Sequence, residues 1–120
     1  ENISAKDIAK GLAGFRGVGR RFELSEIYFS KHPHVLIDDY GHHPAEILST
    51  VLAAKEKFPR QKICMIFEPH RFTRTQQLFD DFKKVLSMVD FLLLLDIYPA
   101  SEKPIKGISS KKLIENNSDK

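Results

Sequence analysis

Two short apolar runs constrain this chain more than any other feature of it: residues 62–67 (KICMIF) and 91–95 (FLLLL). Runs without polar alternation suit strands covered on both faces of a parallel sheet, because neither face is then built to meet water. Around them apolar residues return at helical spacing. Ile47, Leu48, Val51, Leu52 and Phe58 follow Pro44 and stop at Pro59, and Leu78, Phe79, Phe82, Val85, Leu86 and Val89 lie between the two runs. Upstream, residues 22–29 and 35–39 read as two more strands. The link between them is too short for a parallel crossover, which needs about a dozen residues, so they should pair antiparallel, the first at an edge.

Short helices flank this order. Ser4 with Asp7 makes a capping-box-like start, Ile3 and Ile8 have staple spacing, and Ile8, Leu12 and Phe15 mark the expected buried side. Thr73 with Gln76 reads as a second capping box, and Ser109 or Ser110 caps a last short helix. The fold class expected is α/β: a doubly wound, mostly parallel sheet with an antiparallel edge strand and right-handed crossovers.

A length of 120 residues gives room for one domain, residues 1–120, with a single core. The apolar fraction of 42% argues for a folded chain. The net charge of +3 comes from 19 basic and 16 acidic residues that are largely interspersed, so it favours nucleic acid no more than a small anionic ligand. Cys64 excludes an internal disulfide and reads as a buried, inert thiol. No apolar stretch approaches the roughly 20 residues of a membrane span, and no signal peptide is recognisable, so the cytoplasm is the expected location. The absence of an initial Met and the polar end suggest a piece of a longer protein, with a sheet expected to be truncated at its C-terminus.

Three polar stretches, 38–43, 68–74 and 96–102, each follow the carboxyl end of a strand, the side of an open α/β sheet on which ligands bind. The first, Asp38-Asp39-Tyr40-Gly41-His42-His43-Pro44, combines carboxylates, a phenol and imidazoles with a glycine for the turn and a proline suited to the first helical position. Asp39 is placed either to accept from a ribose hydroxyl or to cap the helix. In the second stretch Arg71 and Arg74, three residues apart, either clamp an anion by forked N–H bonds or pair with Glu68 or Asp38. Arg20 and Arg21 are nucleotide contacts or plain surface charges. His42, His43 and His70 invite a metal reading, but adjacent histidines point apart and no compact ligand spacing such as HExxH is present. His32 and His34 read as surface residues. With neither GxxxxGK[ST] nor GxGxxG, any bound nucleotide must have its phosphates held elsewhere.

At residues 38–44 and at Pro69-His70-Arg71-Phe72-Thr73-Arg74-Thr75 the sequence resembles the C-terminal domain of the Mur ligases, specifically their alanine-adding branch. Residues 17–23 and 97–100 match two further family stretches in the same order. The murein-peptide ligases share the His-His-Pro turn but differ before it and in the second motif. The resemblance implies a Rossmann-like third domain in a three-domain cytoplasmic enzyme of peptidoglycan synthesis, whose missing N-terminal and central domains bind UDP-N-acetylmuramate and carry the phosphate loop and Mg2+ ligands. It implies that Arg21 and Asp39 contact ATP, and that Tyr40, His42, His70, Arg71 and Arg74 surround L-alanine. It implies no catalytic side chain and no metal ligand in this chain, and neither a nucleic-acid nor a membrane partner. Ser101 departs from the pattern, which has Gly before Glu102. A stand-alone nucleic-acid-binding module, argued from charge alone, lacks any RRM, KH or helix-turn-helix signature. A histidine-metal hydrolase would require tightly bound metal.

Overall fold

The computed structural model describes residues 3–15 and 17–115; the polar tail 116–120 lies outside the described residues. In chain order the elements are α1 (Ala5–Gly14), β1 (Glu23–Phe29), β2 (His32–Asp38), α2 (Pro44–Lys57), β3 (Cys64–Phe67), α3 (Phe72–Gln77), α4 (Phe79–Leu86), β4 (Phe91–Leu94) and α5 (Ser110–Ile114). The fold is mixed α/β, with an antiparallel pair β1–β2 and a parallel pair β3–β4 forming two two-stranded sheets. The chain divides after Tyr40 into two compact units.

In the first unit Ser4 caps α1: its Oγ accepts from the Asp7 N–H at 3.2 Å and donates to the Asp7 carboxylate at 2.6 Å. The strands pair from Glu23↔Asp38 to Phe29↔His32. Their turn is shorter than the sequence suggested, with Ser30 and Lys31 at φ 48° and 71°. Positive φ at both central residues is what the twist of a two-residue hairpin requires. Pro33 falls inside β2 opposite Tyr28, where a two-stranded ribbon leaves each strand an open edge that needs no donor. No described residue of this unit is buried. The expected buried side of α1 is open, Ile8 at 53% and Leu12 at 70% exposure, because helical spacing marks a face that can be buried without supplying the surface that buries it.

The core lies in the second unit. β3 and β4 pair in register from Cys64↔Phe91 to Phe67↔Leu94, and the Asp90 carboxylate takes the Ile63 N–H at 2.8 Å just before β3. One face of this pair meets the helices: Ile47 and Val51 of α2, Phe82, Val85 and Leu86 of α4 and Leu113 of α5 surround Phe67. Phe82 is fully buried, its ring centroid 5.7 Å from that of Phe67. Period-2 alternation then sends Cys64, Ile66, Phe91 and Leu93 to the opposite face, where all four are exposed. This corrects two expectations. Cys64 is an exposed thiol, and the strands of this unit are covered on one face only. A continuous apolar run shows that a strand could be buried twice over, and the second layer has to come from elsewhere.

α2 starts and ends as its sequence directs, with Pro44 in the first turn and Phe58 as C-cap. The helical spacing after residue 72 is interrupted at Leu78 (φ −113°, ψ 26°), which separates α3 from α4. Ser109 caps α5 by accepting from the Lys112 N–H. Among the described residues no helix is long and apolar enough to cross a membrane.

Candidate functional site

Parallel pairing continues beyond the ends of β3 and β4 and thereby joins the second and third polar stretches. His70 and Tyr98 form an isolated parallel bridge. The Tyr98 N–H donates to the Pro69 carbonyl and the Arg71 N–H to the Tyr98 carbonyl, each at 2.8 Å. The His70 and Tyr98 rings pack with centroids 4.9 Å apart, and His70 Nε2 lies 3.4 Å from the Glu68 carboxylate.

Arg71, the residue before α3, has φ 75° and ψ 127°. For a residue with a Cβ this conformation stores about 1–3 kcal/mol and persists only where neighbours over-determine it. They do so here. Besides the bond to Tyr98, the Arg71 carbonyl accepts from the Thr75 N–H at 3.1 Å and from the fully buried Thr75 hydroxyl at 2.9 Å. The side chain is held as well, with Nε donating to Glu102 at 2.8 Å.

Glu102 is the residue that sequence reasoning missed. Its carboxylate also accepts from the Thr73 N–H at 3.0 Å and the Thr73 hydroxyl at 2.7 Å. These Thr73 bonds, with the Arg71 guanidinium adding to them, pull its pKa down to about 2. Within the second unit the ion-pair partner of Arg71 among the described residues is therefore Glu102 and not Glu68. The expected Thr73–Gln76 capping box does not form, since Arg71 precedes α3 without a side-chain cap and Thr73 is committed to Glu102.

The turn delivering Glu102 places Ala100 and Ser101 at φ 46° and 69°. Glycine, which the family pattern has before Glu102, would occupy this left-handed region without a Cβ clash. Ser101→Gly should accordingly stabilise the chain by about 0.5–1 kcal/mol, read as a higher urea midpoint at unchanged m-value. A lower midpoint would show that the serine contributes more than its backbone costs.

Arg74, one turn into α3, is half-buried, and among the described residues its guanidinium has no hydrogen-bond or ion-pair partner. Both arginines line an open groove of about 330 Å³ with His43, Thr73, Gln77 and Leu78. His43 is also the cap of α2. Its Nδ1 accepts from the Ala45 N–H at 3.2 Å while its own N–H donates to Glu46 at 3.1 Å, a reciprocal capping box. The His42 N–H donates to the same carboxylate at 3.0 Å. The cap is therefore His43 and not Asp39. No group of three or more His, Cys, Asp or Glu suited to a metal ion occurs among the described residues.

In the first unit the remaining sequence-selected residues cluster at the end of the strand pair opposite its hairpin turn, beside Glu23↔Asp38. The Asp39 carboxylate accepts from the Phe22 N–H at 2.9 Å, and the Tyr40 N–H donates to the Arg20 carbonyl at 2.8 Å. The Arg20 and Arg21 guanidiniums lie 5.2 and 5.8 Å from the Tyr40 ring centroid, within cation–π range. Arg20 Nε approaches Asp38 at 3.5 Å. Arg21, Asp39 and Tyr40 are thus neighbours in one unit, while His42, His70, Arg71 and Arg74 belong to the other.

Comparison with known proteins gives the family. Residues 20–118 match the family described as Mur ligase, glutamate ligase domain. A UDP-N-acetylmuramate--L-alanine ligase of Lawsonia intracellularis is 53% identical over 113 residues, covering 94% of this chain and 24% of that protein. The crystal structure of the UDP-N-acetylmuramate-alanine ligase MurC from Thermotoga maritima superposes with a TM-score of 0.59 at 35% identity, covering 77% of this chain and 19% of that one. The chain thus spans about a quarter or less of the length of these relatives. On the profile that matches most of its length, this chain belongs to the Mur ligase family.

Proposed function

We propose that residues 1–120 act as the third domain of an ATP-dependent, cytoplasmic ligase that joins L-alanine to UDP-N-acetylmuramate in peptidoglycan synthesis. The observation that carries this reading is the groove of the second unit, which Arg71 and Arg74 both line, in a chain 53% identical to a ligase of that name. In the reaction ATP phosphorylates the muramoyl carboxylate, releasing ADP. The alanine amine then attacks the acyl phosphate, losing a proton as inorganic phosphate departs. Alanine offers only a methyl group beyond its amine and carboxylate, so the carboxylate must supply most of its orientation. Two arginines can hold it while leaving the amine free. His42 and His70 would line the same amino-acid site.

Arg21 and Asp39 of the first unit would serve ATP, Asp39 through the ribose, with Tyr40 toward alanine. On the family resemblance, the Mg2+ that accompanies ATP would be held by the central domain together with the phosphates. Asp39→Ala in the full-length enzyme should raise the KM for ATP by about 10-fold or more while leaving that for alanine within about twofold, as expected for loss of a charge-assisted hydrogen bond. A raised KM for alanine with an unchanged KM for ATP would reverse the assignment.

A further inference from the structure

We infer that Glu102 is a positioning residue for the amino-acid carboxylate: it fixes Arg71 by its Nε so that the two terminal nitrogens of the guanidinium face the groove. The inference rests on the reading of this groove as the alanine site and adds to it a residue 31 positions away from the arginine it serves. Three donors converge on Glu102, from Arg71 Nε and from the N–H and hydroxyl of Thr73, at 2.7 to 3.0 Å. Its side chain is only 15% exposed, whereas that of Arg71 is 52% exposed. The carboxylate is therefore the fixed post and the guanidinium the group presented to solvent. Among the described residues the terminal nitrogens of Arg71 have no partner. Two parallel N–H bonds from that end fit a carboxylate as a fork.

The geometry also couples the two polar stretches. Glu102 grips Thr73, in the first turn of α3, at the same time as Arg71 just before it, so the strained backbone at Arg71 and its side chain are set by one anion. Glutamine cannot replace it. The three donors need acceptors, and an amide provides one oxygen and an NH2 that would face a donor.

The test is steady-state kinetics of the full-length ligase, with acyl-phosphate formation followed separately. Glu102→Gln should raise the KM for alanine about tenfold at little-changed kcat, because binding common to ground and transition states is lost, and acyl-phosphate formation should be unaffected. In an Arg71→Ala background the same substitution should change the KM by less than about twofold, since its effect passes through Arg71. Thr73→Ala, which removes one contact and keeps the charge, should raise the KM about two- to fivefold and carries the test if Glu102→Gln does not fold. An unchanged alanine KM in Glu102→Gln, or an equal rise with and without Arg71, would overturn the inference. If Arg71→Ala itself left alanine kinetics intact, the groove would not be the alanine site, and that outcome is distinct from a failure of Glu102 alone.

Discussion

Arg74→Ala in the intact ligase is expected to lower kcat/KM for L-alanine by about 10- to 150-fold, the equivalent of one charge-assisted hydrogen bond lost. Arg74 is the more telling of the two arginines. The charge of Arg71 is already opposed by Glu102 at 2.8 Å, whereas that of Arg74 is unopposed among the described residues. Arg74 thus supplies the net positive charge of the groove, and Arg71 the oriented fork. Lysine at position 74 should rescue only partly, because it keeps the charge and loses the planar pair of donors. Formation of the acyl phosphate does not use the amino acid and should survive the substitution. If Arg74→Ala left alanine kinetics unchanged and instead impaired acyl-phosphate formation, the arginine would belong to the ATP phosphates, and the alanine site would lie elsewhere.

Phe82→Ala should destabilise the second unit by about 3–5 kcal/mol, the range for emptying a phenylalanine site in a core. Phe82 is fully buried in the core of the second unit, against Phe67, and α4 also contributes Val85 and Leu86 to that core. A domain of this size has only about 5–15 kcal/mol of net stability, so the loss is a large fraction of the whole and should appear as a marked fall in urea midpoint. Leu93→Ala is the matched control. Leu93 is also a large apolar residue of the parallel pair, but it is 54% exposed on the uncovered face, and it should cost less than about 1 kcal/mol in this chain. Equal losses at the two positions would mean that the second face is covered as well.

The elements were legible wherever the cause was local. Ser4, Pro44 and Ser109 each act within one turn of a helix, and all three helices begin where these residues direct. The antiparallel pairing of β1 and β2 followed from a link too short for any other connection. Misjudgements arose where a residue had a local and a distant option. Thr73 had the sequence of a helix cap and turned to Glu102, and Asp39 had the position of a cap but accepts from Phe22, leaving the role to His43. Cys64 lay in a run that looked buried, yet period-2 alternation put it on the open face.

The candidate site divides along the same line. Histidines and arginines after the ends of apolar strands could be read directly, because an α/β topology sends every such loop to the carboxyl edge of its sheet. The sequence by itself determined which side chains of the second unit have the chemistry and spacing of an anion clamp, Arg71 and Arg74 three apart at a helix start; that His43 lines the same groove came only with the structure. Only the tertiary structure decided how they are held. The bridge between His70 and Tyr98 extends the parallel pairing past its strands and brings Glu102 onto Arg71. No periodicity or spacing encodes that contact, because it depends on the register of two chain segments joined only through α3, α4 and β4, and register is set by packing of the whole unit.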